Sequence, residues 1–223
     1  MDDYRFERKF QILQLNRKEV ELYVKLHPAM FSEIYHQRFV NSIYLDSVDK
    51  QSYIDHIAGI TKRKKTRVRW YGDLYGKIEK PILEIKKKSG FVNTKESYLL
   101  SPFIIGENVT HQEIWNQLRS SADSDYIISK ITLLEVVLFV RYNRKYFLSA
   151  CGKFRITIDS ELVFFNFSGR HHVFDHKSSE HDGKIIMELK YAHDQDLYAE
   201  KIINHFPFRI TRSSKYVSGV ESF

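Results

Sequence analysis

Residues 62–71 read KRKKTRVRWY. In an extended chain, successive side chains leave on opposite faces. Arg63, Lys65, Arg67 and Arg69 then share one face, while Lys64, Thr66, Val68 and Trp70 share the other, which turns apolar toward its end. Cations stacked two residues apart repel one another and gain nothing from burial. Two accounts are open for such a strand. It is a solvated edge whose lysines block aggregation, or it is the wall of a groove or tunnel that holds a polyanion. The remainder of the chain has to separate them.

The same two-faced alternation recurs. Residues 4–12 put Arg5, Glu7 and Lys9 on one face and Tyr4, Phe6, Arg8 and Phe10 on the other. Residues 81–88 set Glu84, Lys86 and Lys88 opposite Leu83 and Ile85. Residues 92–100 align Lys95 with Ser97. Residues 154–163 set Arg155, Thr157 and Asp159 opposite Ile156 and Ile158, and residues 185–191 align Glu188 with Lys190. With a further strand over 38–46 (RFVNSIYLD), about eight mainly antiparallel strands result. A sandwich has a dry interior, so charged faces backed by apolar ones are inverted for that fold. The pattern predicts an α+β chain: a closed antiparallel β-tunnel barrel of about eight strands with a polar, cationic lumen, flanked by helices.

The helices are few. Asn16 and Glu19 form a capping-box pair ahead of Val20, Tyr23, Val24 and Met30, with Pro28 marking the end. Ser47 is read as the cap of a helix over 47–57 with Tyr53, Ile54 and Ile57 inward. Residues 111–119 turn Ile114, Trp115 and Leu118 inward, and residues 194–206 offer Leu197, Ile202, Ile203 and Phe206 as core. Residues 131–148 are a bent strand, or a helical turn and then a strand, carrying Arg141, Tyr142 and Arg144. Residues 171–183 read as a polar loop, and the tail holds Arg209, Arg212, Ser214, Lys215 and Tyr216.

No Ser/Gly/Pro-rich linker interrupts the 223 residues, so residues 1–223 read as one domain. A net charge of +7 favours an anionic partner. The single cysteine, Cys151, excludes an internal disulfide or a multi-cysteine zinc site and is taken as structural. No run reaches the ~18 apolar residues of a membrane span, and the N-terminus has no signal-like apolar stretch. The expectation is a cytoplasmic protein without a membrane span in this chain. His171, His172, His176 and His181 cluster without metal-ligand spacing. There is no glycine-rich phosphate loop, so a nucleotide would be held by side chains.

Three Glu-x-Lys pairs stand out: Glu7 with Lys9, Glu84 with Lys86, and Glu188 with Lys190. Each is a neutralised ion pair, or else the carboxylates serve Mg²⁺ or Mn²⁺ and the cations serve phosphate oxygens. Arg67, Arg69, Arg144 and Arg155 share this inward phase, and a guanidinium fork matches phosphate. Lys9, Lys86, Lys95 and Lys215 add point charges.

FERKF, SIYLD, TRVRWYG, ILEIKKK, VRYNRKYF, FRITID, IMELKY and SKY occur in that order over about residues 4–218. The chain in this respect resembles VTC domains, the catalytic domains of vacuolar transporter chaperone polyphosphate polymerases in the CYTH-like triphosphate tunnel superfamily. The resemblance implies transfer of the γ-phosphoryl of ATP to a growing inorganic polyphosphate chain, releasing ADP, with Mn²⁺ or Mg²⁺. It implies an ATP–polyphosphate phosphotransferase of the stand-alone kind. Its catalytic residues would be Lys9, Arg67, Arg69, Lys86, Arg144 and Arg155. Lys95, Lys190, Ser214 and Lys215 would bind phosphate, and Glu188 and Glu7 would bind metal. The superfamily's Glu-x-Glu-x-Lys signature reads Arg5-x-Glu7-x-Lys9 here, which implies fewer metal ligands and a more cationic tunnel than in a hydrolase. Rival readings are a tunnel-fold triphosphatase, acting on inorganic, nucleoside or RNA 5′ triphosphate, and a non-catalytic polyphosphate-binding module. Aromatics interleaved with the cations for specific nucleic-acid binding are not evident.

Overall fold

The computed structural model describes residues 5–89, 92–167, 177–179 and 183–223. His171, His172, His176 and His181 lie outside them. In chain order the elements are β1 (Arg5–Ile12), α1 (Arg17–Lys25), β2 (Ser32–Asp46), α2 (Gln51–Ile57), β3 (Lys62–Tyr71), β4 (Gly76–Ile78), β5 (Ile82–Ser89), β6 (Val92–Leu99), β7 (Phe103–Ile105), α3 (His111–Ser120), α4 (Asp125–Ile131), β8 (Glu135–Leu148), β9 (Arg155–Asn166), β10 (Lys177–Ser179), β11 (Ile185–Ala192), α5 (Asp196–Asn204) and α6 (Lys215–Glu221). The fold is α+β with one large antiparallel sheet. Its pairing path is β1-β11-β9-β8-β2-β3-β5-β6, with β10 added to β9, and β4 and β7 form a separate pair. Among the described residues the pairing runs from β1 to β6 and defines a large sheet; the expected closure into a barrel is not among these pairings.

The chain divides into two compact units. One comprises Met1–Arg38, Tyr142–Leu162 and Glu180–Ser214; the other comprises Phe39–Arg141, Val163–Ser179 and Lys215–Phe223. Strands β2, β8 and β9 each contribute residues to both.

In the first unit, Phe10 and Ile12 of β1, Ile156 and Ile158 of β9, and Met187 and Leu189 of β11 pack with Val20 and Val24 of α1 and Ala199 and Ile202 of α5. These strand positions are the apolar phase, and Glu7, Lys9, Thr157, Asp159, Glu188 and Lys190 occupy the alternate positions. Helix α1 begins as predicted. Asn16 Oδ1 accepts the Glu19 N–H at 3.2 Å and Glu19 Oε2 accepts the Asn16 N–H at 2.7 Å, a cap worth about 1 kcal/mol. Three apolar assignments are corrected. Tyr23 is half-exposed. Met30 is exposed because it lies beyond the helix at φ 48°. Leu197 is 80% exposed: at about 100° per residue it points roughly 200° away from Ala199, because α5 begins only at Asp196, after a 3-10 turn.

In the second unit, Ile43, Leu45, Val68, Trp70, Leu83 and Ile85 pack with Ile114, Trp115 and Leu118 of α3 and Ile127 and Ile131 of α4. Helix α3 has a second capping box, between Thr110 and Glu113. Helix α2 is shorter than predicted. Lys50 sits in the left-handed region at φ 52°, so helical geometry cannot extend back to Ser47. Asp46 and Ser47 instead cap α2 from the end of β2: Asp46 takes the Ser52 and Tyr53 N–H groups and Ser47 Oγ takes that of Gln51. No α2 residue is buried, so Tyr53, Ile54 and Ile57 do not serve as core. Strand β2 starts six residues before its predicted beginning; residues 32–37 are mostly exposed and carry no apolar stripe that would have marked them in the sequence. Cys151, expected to be structural, is exposed.

Candidate functional site

Each unit gathers a charged cluster on the strand phase opposite its core. In the first unit the antiparallel registers set Glu7 of β1 opposite Lys190 of β11, and Lys9 opposite Glu188. Lys190 is in turn opposite Arg155 of β9, and Glu188 opposite Thr157. Opposite charges therefore alternate along β1 and β11 and across that pair, while β9 sets a second cation, Arg155, opposite Lys190. Lys9 Nζ lies 2.9 Å from Glu7 Oε1 and 3.4 Å from Glu188 Oε1, and donates to the Ser213 carbonyl at 3.1 Å. Lys190 Nζ lies 3.1 Å from Glu188 Oε2, and Arg144 Nη2 lies 3.7 Å from the same oxygen. The Glu7–Lys9 and Glu188–Lys190 pairs read from sequence are thus present.

Arg144 is buried and holds Asp159 in a fork, Nε to Oδ1 at 2.5 Å and Nη2 to Oδ2 at 2.6 Å. Asp159 is fully buried. Burial on its own would push these cations toward neutrality. Glu188 and Glu7 outweigh burial at Lys9, and Asp159 does so at Arg144, so both pKa values rise and both groups stay charged. Thr157 Oγ1, on the residue opposite Glu188, is buried without a hydrogen-bond partner.

In the second unit a single carboxylate serves three cations. Glu84, 3% exposed, accepts Arg67 Nε at 2.7 Å. Arg69 Nη2 lies 3.5 Å from its Oε2, and Lys95 Nζ lies 2.5 Å from its Oε1. Arg67 Nη1 donates to the Tyr44 hydroxyl at 3.2 Å. Register accounts for the gathering: Tyr44, Arg67, Glu84 and Ser97 stand in one row across β2, β3, β5 and β6. The next row across β3, β5 and β6 is Lys65, Lys86 and Lys95, and like charges directly opposite one another are unfavourable without a counterion. Arg69 Nε is buried with no hydrogen-bond partner, a donor that a phosphate oxygen or a water would satisfy.

The sequence-read residues therefore fall into two groups, Lys9, Arg144, Lys190, Glu7 and Glu188 in one unit and Arg67, Arg69 and Lys95 in the other. Lys86 is exposed in its lysine row, Arg155 is half-buried opposite Lys190, and Ser214 and Lys215 lie just before and at the start of α6. Of the residues central to the clusters, Asp159 and Tyr44 were not in the sequence-derived set, and Glu84 was singled out there only in its Glu-x-Lys pair, without an assigned role. Their signal was present, since each shares the charged phase of its strand. The Glu84-x-Lys86 spacing did not point to Lys95 of β6, the lysine that meets Glu84 at 2.5 Å.

Among the described residues no three His, Cys, Asp or Glu side chains come together as a metal site. Glu7 Oε1 and Glu188 Oε1 nevertheless converge on one point, where the Lys9 ammonium lies between them. Two carboxylates fit a hard divalent ion that shares its remaining positions with water and substrate phosphate.

The sequence pattern of the VTC domain matches residues 4–223. No curated protein matches the chain. Among solved structures, a candidate adenylate cyclase from Vibrio parahaemolyticus is similar at a TM-score of 0.54 and 14% identity, over 98% of this chain and 99% of that one. The PH1819 protein of Pyrococcus horikoshii gives 0.54 and 15% over 98% and 99%. A candidate adenylyl cyclase from Hippeastrum, described as having a dominant triphosphatase activity, gives 0.52 and 13% over 97% and 96%. At these identities the likeness is one of fold.

Proposed function

This chain belongs to the VTC domain family, and we propose that it is an ATP–polyphosphate phosphotransferase: it moves the γ-phosphoryl of ATP onto the end of an inorganic polyphosphate chain and releases ADP. One observation carries the reading. Arg67, Arg69 and Lys95 converge on a single buried carboxylate, Glu84, with one arginine donor left over and a row of three lysines beside it. Three cations sharing one carboxylate, with a buried guanidinium donor left over, are arranged for an extended anion with many oxygens.

In this proposal Arg67, Arg69, Lys86 and Arg155 are the residues assigned to the triphosphate, and Lys9, Lys95, Arg144, Lys190, Ser214 and Lys215 are those assigned to the acceptor phosphate. Phosphoryl transfer needs alignment and charge neutralisation more than covalent help from protein. A polyphosphate terminus is already ionised near neutral pH, so no general base is assigned. Asp159 keeps Arg144 fixed, and Glu84 keeps Arg67 and Arg69 fixed. A divalent ion, Mn²⁺ or Mg²⁺, held by Glu188 with Glu7, would neutralise charge on the phosphate oxygens. Cytoplasmic location fits an ATP-dependent activity, and no helix among the described residues is long and apolar enough to cross a membrane.

A second reading, hydrolysis of a triphosphate, is favoured by the activity described for the Hippeastrum protein. Incubating the purified chain with ATP and Mn²⁺, and separating products on a gel that resolves polyphosphate, tests both. A polymer ladder with stoichiometric ADP is expected. Free phosphate without polymer would establish the triphosphatase, and bound polyphosphate with intact ATP would establish a binding module. Arg67→Ala and Glu188→Ala are each expected to abolish synthesis, and full activity in either would remove the assigned role.

A further inference from the structure

Asp46 is almost completely buried at the end of β2 and takes no part in either charged cluster. Its two oxygens accept four hydrogen bonds. Oδ1 takes the Ser47 N–H at 2.8 Å and the Ser52 N–H at 3.0 Å; Oδ2 takes the Tyr53 N–H at 3.2 Å and the Tyr216 hydroxyl at 2.5 Å. A carboxylate so saturated is a fixed point. Tyr216, the second residue of α6, lies 2% exposed and stacks on Tyr44 with ring centroids 5.1 Å apart at 26°. Burial and the Asp46 carboxylate raise its pKa, so it remains a donor. Two residues before Asp46 on the same strand, Tyr44 accepts a hydrogen bond from Arg67 Nη1 through its own hydroxyl at 3.2 Å. Lys215, next to Tyr216, is buried as well.

From this chain of contacts we infer that Asp46, Tyr216 and Tyr44 are positioning residues for the phosphate-holding cations Arg67 and Lys215. The inference rests on the reading of those two cations as phosphate ligands. Asp46 anchors the Tyr216 hydroxyl, which sets where α6 begins and therefore where Lys215 stands. The Tyr216 ring fixes the Tyr44 ring, and the Tyr44 hydroxyl fixes one face of the Arg67 guanidinium while Glu84 fixes the other. A guanidinium held on two sides is pre-organised for a phosphate and loses less freedom on binding. None of the three positioning residues needs to touch substrate.

Tyr44→Phe is the discriminating variant, because it removes one hydroxyl and keeps the ring stack. It is expected to weaken tripolyphosphate binding, read by calorimetry, and to raise KM for ATP about tenfold with a smaller change in kcat, the fold-change of one lost hydrogen bond to a charged group. Its melting temperature should fall by only a few degrees, the cost of one hydrogen bond. Tyr216→Phe should weaken tripolyphosphate binding similarly. Asp46→Asn sets an amide donor among amide donors and is expected to lower stability also, so it is not the deciding variant. Thr110→Ala, which loses the α3 cap in the same unit, is the control: it should lose stability while keeping tripolyphosphate affinity. Unchanged affinity in Tyr44→Phe would overturn the inference. If wild type neither binds tripolyphosphate nor turns over ATP, the proposed function itself fails. The positioning contact is then read directly from NMR of nitrogen-labelled arginine. Restricted rotation of the Arg67 Nη groups in wild type, released in Tyr44→Phe, supports it, and equally free rotation in both overturns it.

Discussion

Glu84 shows at the scale of one residue how the cationic face is held together. Burial alone would raise its pKa, but Arg67 and then Lys95 outweigh burial and bring it down from 4.5 to about 2. The unfolded chain takes up this proton as pH falls through about 4.5, whereas the folded chain resists until about 2. The stabilisation is thus complete above pH 4.5 and is lost as pH falls toward 2. At about 1.4 kcal/mol per unit it is worth about 3 kcal/mol. Glu84→Gln is expected to cost a similar amount at neutral pH, because it strands Arg67, Arg69 and Lys95 without their counterion. It should also flatten the stability curve between pH 4.5 and 2. Denaturant unfolding of both proteins across that range checks this, and an unchanged slope in the variant would show that Glu84 is not the group that titrates.

At the scale of an element, α6 depends on one glycine. A Cβ on Gly219 would lie 2.4 Å from Leu138 Cδ2 and 2.7 Å from Phe164 Cδ1, both on buried side chains. The helix sits against β8 and β9 only because that position has no side chain. Gly219→Ala should cost about 1–3 kcal/mol by overpacking, about 2–4 °C of melting temperature per kcal/mol for a chain of this length. It should weaken tripolyphosphate binding too, since the same helix carries Lys215. Thermal unfolding and calorimetry together check this; wild-type values in both would mean that α6 does not position the lysine.

That helix also marks where sequence reading stops. Strand phase was legible from 62–71, where burial alternates at the period of the backbone, and from 185–191, where Glu188 and Lys190 alternate with apolar side chains although β11 is buried on both faces, and the Asn16–Glu19 cap was legible because its two residues sit three apart. Seven-residue α4 and α6 have only two or three inward positions each, too few for a helical period to emerge. The roles of Asp159 and Tyr44 depend on which strands are neighbours. β11 pairs with β1 and β9, and β2 with β3, across very different lengths of chain, and side-chain alternation carries no information about that order. Charge type and phase therefore identified most members of both clusters, while their partners waited on strand order.

Across the whole molecule, charge is unevenly compensated. The chain carries +7, and Arg67, Arg69 and Lys95 share one carboxylate beside the Lys65–Lys86–Lys95 row. Three cations on one carboxylate leave that cluster net positive, and an anion that binds there supplies the balancing charge. Tripolyphosphate should accordingly stabilise folding, by about 2.7 kcal/mol at a hundred times its Kd, or some 5–10 °C in melting temperature at this chain length. The gain should shrink as sodium chloride is raised, since several cations release their screening ions when the polyanion binds. Monophosphate at equal ionic strength should do much less, because it cannot span several cations at once. Thermal unfolding with each anion at low and high salt distinguishes a built polyanion site from general screening. If monophosphate and tripolyphosphate raise the melting temperature equally, the cations act as a diffuse field, and the case for an extended phosphate chain as substrate falls with it.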